Sequence, residues 1–240
     1  MPAVGFGTYL LSSEQCEDAV LHALNAGYRH IDTAEFYDNH RGCAKAIKAS
    51  NVDRKDIWIT DKVSPNGFFD MPCRTYDEVL AALRSRLSML ETEYVDLYLL
   101  HHAFAKDERL NQWRALVEAQ KLGLAKHIGV SNWGEKHFKE IEEAGLPIPE
   151  VNQIEVHPIC SQKDVIAYMK TKGITVVAYS SLAPLSTWRT EPDQSSLPIE
   201  DLSHQAVIAE VVSHYKDQDV SEVHILLFFL SSRLPLTYVP

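Results

Sequence analysis

Along the whole chain, short apolar runs rich in β-branched residues alternate with longer stretches of helical spacing. The runs are Val4–Tyr9, His30–Asp32, Ile57–Thr60, Val95–Leu100, His127–Val130, Val151–Ile154, Thr175–Tyr179 and Leu236–Val239. Their length and composition predict strands. The clearest helix begins at Thr75, where Thr75 and Glu78 have the spacing of a capping box and Val79, Leu83, Leu87 and Leu90 fall on one stripe. Several helical stretches end in glycine just before the next strand, at Gly27, Gly123, Gly145 and Gly173. Glycine accepts the left-handed conformation that closes a helix, so these positions mark helix-to-strand turns.

Parallel strands need long crossovers, and eight βα repeats without a linker or composition shift predict one domain over residues 1–240. The predicted architecture is a closed (β/α)8 TIM barrel, with an open doubly wound sheet as the alternative. The one long loop, about Ala183 to Asp201, is rich in Ser, Pro and Thr and follows the seventh strand, where barrels commonly build substrate and phosphate sites.

Composition narrows the class of function. With 23 Lys and Arg against 33 Asp and Glu, the formal net charge of -10 is the opposite of a phosphate-binding footprint, so no nucleic-acid partner is expected. The longest apolar run, Ile225–Leu230, is far short of the roughly 18 residues of a membrane span, and no charged segment precedes an apolar core at the start of the chain. Cys16, Cys43, Cys73 and Cys160 form no C-x-x-C pair. The expectation is a reduced, cytoplasmic protein without a signal peptide or membrane partner. Oligomeric state is left open.

In a barrel, chemistry sits at the C-terminal ends of the strands. Asp32 ends the second predicted strand, Tyr37 follows five residues on, Lys62 ends the third and His101 the fourth. A tyrosine with a pKa near 10 is a poor acid at neutral pH, but a neighbouring ammonium stabilises its phenolate and lowers that value. Lys62 can supply the ammonium, Asp32 its counter-charge, and His101 a hydrogen bond to a substrate oxygen. This set suits protonation of a carbonyl oxygen. Singly, each residue has an ordinary structural explanation, such as a helix cap for Asp32. No metal site is expected, because His101 and His102, adjacent on a strand, should point to opposite faces.

The run from Gly27 through Asp32 and Tyr37 to Asn39 closely resembles the aldo-keto reductase signature. So do Asp96–His101, Gly129–Asn132, Val151–Pro158 and Ala178–Leu182, in the expected order. The resemblance implies a TIM-barrel reductase that uses NAD(P)H to reduce aldehydes or ketones, with Tyr37 as general acid, Lys62 and Asp32 tuning it, and His101 orienting the carbonyl. It implies a cofactor, NADP(H) with NAD(H) left open, held by Thr8, Asp32, Ser131, Asn132, Gln153, Tyr179, Ser180 and Leu182. In that picture the carboxamide lies near Ser131, Asn132 and Gln153, the nicotinamide stacks on Tyr179, and the pyrophosphate runs by Ser180 and Leu182. Amide side chains and an aromatic face fit such a heterocycle on physical grounds as well. Asn132 could alternatively cap a helix from Gly134 to Ala144. Other phosphate motifs are missing, since Gly5-Phe-Gly7 is followed by Leu10 where a G-x-G-x-x-G needs glycine.

Three departures from the family pattern affect these expectations. His102 and Ala103 replace the usual bulky aromatic and proline after the histidine, which changes one pocket wall. The usual N-terminal hairpin is missing before Val4. At the other end, Leu236–Val239 resembles the eighth strand, and the family's following Lys-Ser pair, later arginine and final helices, which hold the adenosine 2′-phosphate, are not in the chain. The expectation is an active carbonyl reductase with weakened cofactor affinity, and the alternative is a weakly active or inactive binding or regulatory protein.

Overall fold

A computed structural model describes residues 1–66, 72–185, 203–215, 220–233 and 237–239. Eight parallel strands follow one another in chain order: β1 (Phe6–Gly7), β2 (His30–Asp32), β3 (Trp58–Val63), β4 (Val95–Leu100), β5 (Ala125–Ser131), β6 (Val151–Glu155), β7 (Thr175–Tyr179) and β8 (Thr237–Val239). Each pairs in parallel with its sequence neighbour, from Phe6 beside Ile31 to Tyr179 beside Val239. A doubly wound sheet reverses its strand order at a switch point, and this one does not. The predicted runs for β2, β4 and β7 have the observed bounds. β3 extends to Val63, because Asp61, Lys62 and Val63 pair with Tyr98, Leu99 and Leu100 of β4.

The crossovers are α1 (Ser13–Asn25), α2 (His40–Ala49), α3 (Tyr76–Met89), α4 (Arg109–Lys121), α5 (Glu135–Glu143) and α6 (Lys163–Thr171), with α7 (Ser203–Ser213) and α8 (Glu222–Arg233) between β7 and β8. Thr75 and Glu78 cap α3 reciprocally, the Thr75 amide donating to Glu78 Oε2 at 2.8 Å. The stripe Val79, Leu83, Leu87 and Leu90 is buried. All four predicted glycines have positive φ, between 63° and 99°. After each, the next amide reaches back five residues in a Schellman turn, as Leu124 does to the Ala119 carbonyl at 3.0 Å, so the residue that ends one helix leads into the next strand.

The main apolar core lies between sheet and helices, and a smaller cluster of Leu97, Leu99, Val151 and Val177 with half-buried Trp58 fills the inner face of the curled sheet. Gly129 is required there, since a Cβ on it would stand 2.4 Å from the Val151 carbonyl oxygen. Among the described residues no helix is long and apolar enough to cross a membrane. The predicted loop from Ala183 begins with a single 3-10 turn, Ala183–Leu185, and the remainder to residue 201 lies outside the described residues.

Candidate active site

The strand ends bring Asp32, Tyr37, Lys62 and His101 together. Tyr37 closes a 3-10 turn, Glu35–Tyr37, that follows β2. Asp38 behind it is left-handed, with φ 51°, a conformation that a short polar side chain tolerates. Asn39 then fixes the end of the turn, its Nδ2 donating to the carbonyls of Thr8 at 2.8 Å and Leu11 at 3.0 Å while its Oδ1 accepts from Thr33 at 2.9 Å and Thr8 at 3.2 Å. With all its hydrogen-bonding groups used this way, Asn39 serves as a buried tie between β1 and the β2 loop.

Lys62 is fully buried and pairs with Asp32. Its ammonium also donates to the Thr33 carbonyl at 3.1 Å and to the Tyr37 hydroxyl at 3.5 Å. The second Asp32 oxygen accepts from the Gln153 amide at 2.7 Å, a contact between residues 121 apart in sequence. The carboxylate is therefore pinned on both oxygens. Burial opposes the charge on Lys62, but Asp32 and the Tyr37 oxygen outweigh it and raise its pKa, so Lys62 stays an ammonium.

The net acidity of Tyr37 corrects the expectation from sequence. Lys62 does favour the phenolate, yet burial is the larger influence and Asp32 adds to it, so the pKa lies above the usual 10. Tyr37 is thus a protonated phenol with a stabilising cation already in place for its conjugate base. Its ring meets His101 edge-on at 5.8 Å between centroids and leans on Tyr9 at 5.1 Å.

His101 lies one residue beyond β4 rather than ending it, with its amide bonded to the Val63 carbonyl at 3.0 Å. Strand alternation therefore does not govern His101 and His102. Instead of pointing to opposite faces, their rings stack 4.5 Å apart at 3°, and His102 stacks in turn on Phe104. Burial, with Lys62 and His102 acting in the same direction, pushes the His101 pKa well below 6.5. A neutral imidazole results. Its buried Nδ1 has no partner among the described residues, where no cluster of His, Cys, Asp or Glu is arranged to hold a metal either.

The predicted cofactor residues line the adjoining strand ends. Ser131 donates to the Gln153 carbonyl at 2.8 Å, and Asn132 Nδ2 donates to the His101 carbonyl at 3.1 Å. Asn132 Oδ1 accepts from the Tyr179 hydroxyl at 2.9 Å, which links the β4, β5 and β7 ends. Asn132 is not a helix cap, because Gly134 takes that position before α5 and Asn132 itself is left-handed at φ 61°. Thr8 is buried against Asp32 and Asn39, its amide donating to the Asp32 carbonyl at 3.0 Å and its hydroxyl bonding both residues, so it ties β1 to β2. Ser180 is left-handed at φ 53° and accepts from the Ala183 amide at 2.9 Å, placing Leu182 inside a tight turn after β7. Between them Ser181 Oγ is buried without a partner among the described residues. Such an orphaned hydroxyl is a fitting donor for a phosphate oxygen. Nothing local in the sequence signals the Gln153–Asp32 bond, because its partners lie 121 residues apart.

Residues 3–233 match the family model described as the aldo/keto reductase family. An uncharacterized oxidoreductase of Schizosaccharomyces pombe is 40% identical over 188 residues, and methylglyoxal reductase DkgA of Escherichia coli K12 is 37% identical over 185. In both, 76% of this chain aligns with 64% of the relative, so the chain spans less than two thirds of the length of these curated relatives. Among solved structures, a Bombyx mori aldo-keto reductase in complex with NADP has a TM-score of 0.82 at 30% identity, covering 100% of this chain and 79% of that one. An aldo/keto reductase from Brucella melitensis has the same score and identity, with 83% of its chain covered. The match over residues 3–233, these relatives and the shared fold together show that this chain belongs to the aldo-keto reductase family.

Proposed function

We propose that the chain carries an NAD(P)H-dependent carbonyl-reducing site at the mouth of a (β/α)8 barrel, with Tyr37 as proton donor. The observation that carries the reading is the placement of the Lys62 ammonium between Asp32 and the Tyr37 hydroxyl, with His101 edge-on to the Tyr37 ring. When bound, a nicotinamide cofactor would supply the hydride that the carbonyl carbon takes up. The chain's own residues manage the charge that develops on oxygen.

As the carbonyl oxygen becomes an alkoxide, it becomes a far stronger base than a phenolate, so the Tyr37 proton moves to it downhill. Lys62 then faces a tyrosinate 3.5 Å away and stabilises it without reorganising, because Asp32 and the Thr33 carbonyl already hold the ammonium. Neutral His101 donates one N–H to the same oxygen and fixes the face of the carbonyl presented to the hydride. For the cofactor, Ser131, Asn132 and Gln153 offer hydroxyl and amide partners to a carboxamide, Tyr179 offers an aromatic face anchored through Asn132, and Ser180 to Leu182 with the orphaned Ser181 hydroxyl suit the pyrophosphate. Thr8 supports this set by fixing Asp32. The printed name of the Escherichia coli relative makes methylglyoxal a sensible first substrate, alongside aromatic aldehydes.

The test is Tyr37→Phe. It should reduce turnover of a reactive aldehyde by at least about a hundredfold, within the range typical of general acid catalysis. NADPH binding, followed by tryptophan quenching, should hold within about twofold, since the hydroxyl acts as charge develops and not in the ground state. Turnover within a few-fold of the parent would reject Tyr37 as the acid.

A further inference from the structure

We infer that Glu35 is a positioning residue for the proton donor, fixing the turn that carries Tyr37 through a carboxylate held by two arginines and a backbone amide. The inference rests on Tyr37 being the donor.

Glu35 opens the 3-10 turn that Tyr37 closes. Its Oε1 accepts from Arg74 Nη2 at 2.8 Å and from Arg86 Nη2 at 3.0 Å, while its Oε2 accepts from the Ser64 amide at 3.1 Å. The side chain is about nine-tenths buried, and both arginines are mostly buried as well. The partners come from distinct elements: Ser64 follows β3 immediately after Lys62 and Val63, Arg74 precedes α3, and Arg86 sits in its last turn. This scaffold is itself closed, because the Arg74 amide donates to the Pro65 carbonyl at 3.1 Å and Gln112 of α4 bonds the carbonyls of both Pro65 and Arg74.

Glu35 and Asn39 thus hold the two ends of one short loop. Asn39 ties it to the β1 side and Glu35 to the β3 side, the side that carries Lys62. Between these ties the Tyr37 side chain is held, among the described residues, by a 3.5 Å bond to Lys62, by the Lys62 ammonium 5.1 Å from its ring centroid and by two ring contacts. A hydrogen bond at the limit of its range is lost with a small displacement of the turn. Two guanidiniums pair with the Glu35 carboxylate, and the groups that act electrostatically on the Tyr37 hydroxyl are Lys62, Asp32 and, more weakly, Tyr9, not Glu35. The influence of Glu35 on Tyr37 is therefore one of position.

A double-mutant comparison separates this role from simple stabilisation. Glu35→Ala and Glu35→Gln are made in the full chain and in the Tyr37→Phe background, and assayed with an aromatic aldehyde and NADPH. Glu35→Ala should lower kcat about 10- to 100-fold, the scale expected for a misplaced reacting group, with KM for NADPH unchanged within about twofold. Glu35→Gln should fall between, because its amide oxygen still accepts from Ser64 but without the charge-assisted bonds. In the Tyr37→Phe background neither substitution should cost more than about a further twofold, since the group being positioned is gone. Equal losses in both backgrounds, or a kcat for Glu35→Ala within threefold of the parent, would overturn the inference. If Glu35→Ala does not fold, Glu35→Gln carries the same comparison.

Should the parent chain reduce no carbonyl, the functional reading fails, and the clamp is then tested by NMR of protein labelled with 13Cζ-tyrosine. The Tyr37 resonance is assigned from its loss in Tyr37→Phe. Because burial is the main influence on this phenol, loosening the turn in Glu35→Ala should move its titration midpoint down toward 10. An unchanged midpoint would refute the positioning role.

Discussion

Replacing Lys62 by methionine tests the electrostatic logic of the site most directly, because the side-chain length is nearly kept and the charge is removed. Lys62 and Asp32 are 0% and 4% exposed, so the substitution leaves a buried carboxylate whose main remaining partner is the Gln153 amide. Breaking a buried pair in this way costs about 3–5 kcal/mol, most of it from the uncompensated charge. The cost should therefore be largely reversible: Asp32→Asn/Lys62→Met, in which both charges are gone, should recover to within about 2 kcal/mol of the parent. Catalysis should not recover with it. At 3.5 Å and an effective dielectric of roughly 20, the attraction between the ammonium and a tyrosinate is about 5 kcal/mol, and Asp32 opposes it. A remainder of about half is what the double variant loses, roughly 30- to 100-fold in the proton-transfer step, and Lys62→Met alone, which keeps the opposing Asp32 charge, should lose more. Urea unfolding followed by circular dichroism at pH 7.5, with aldehyde turnover on the same preparations, measures both quantities. If Lys62→Met costs less than about 1 kcal/mol, or if the double variant is as unstable as the sum of the singles, the pair is not the buried ion pair described here.

Asp32→Asn alone should lower turnover less than Lys62→Met, because removing the carboxylate eases ionisation of Tyr37 while burial of an unpaired Lys62 weakens the ammonium; the alkaline limb of the pH–rate profile checks this. Asn132→Gly should weaken NADPH binding about tenfold in a tryptophan-quenching titration, since the amide that bonds Tyr179 is gone, and Asn132→Ala should be about 1 kcal/mol less stable than Asn132→Gly in thermal unfolding because φ is 61°. Burial holds His30 at about 4 in the folded state against 6.5, so as pH falls the unfolded chain takes up the proton first. Stability present above pH 6.5 should drain away down to about pH 4, by up to about 3 kcal/mol, and His30→Asn should flatten that slope in urea titrations at a series of pH values.

Much of this protein was written in local pattern. Short apolar runs located strands with the observed bounds at β2, β4 and β7, the Thr75–Glu78 spacing located a capped helix, and four glycines marked Schellman turns, because each feature is decided by residues within about six positions of one another. The repetition of these units already implied the strand order. Strand ends then predicted which polar groups share a mouth, and Asp32, Tyr37, Lys62 and His101 do meet there. What the pattern could not decide was everything set by contacts between distant elements. The double anchoring of Asp32 by Lys62 and Gln153, and of Glu35 by Arg74 and Arg86, needs partners that only the folded arrangement of strands and helices brings within 3 Å or so. His101 and His102 stack because β4 ends one residue early, a boundary fixed by pairing with β3 and β5. The direction of the Tyr37 pKa was beyond sequence for the same reason. A named cation sets one sign, but burial sets the other, and burial is a property of the whole surrounding shell rather than of any pair of residues.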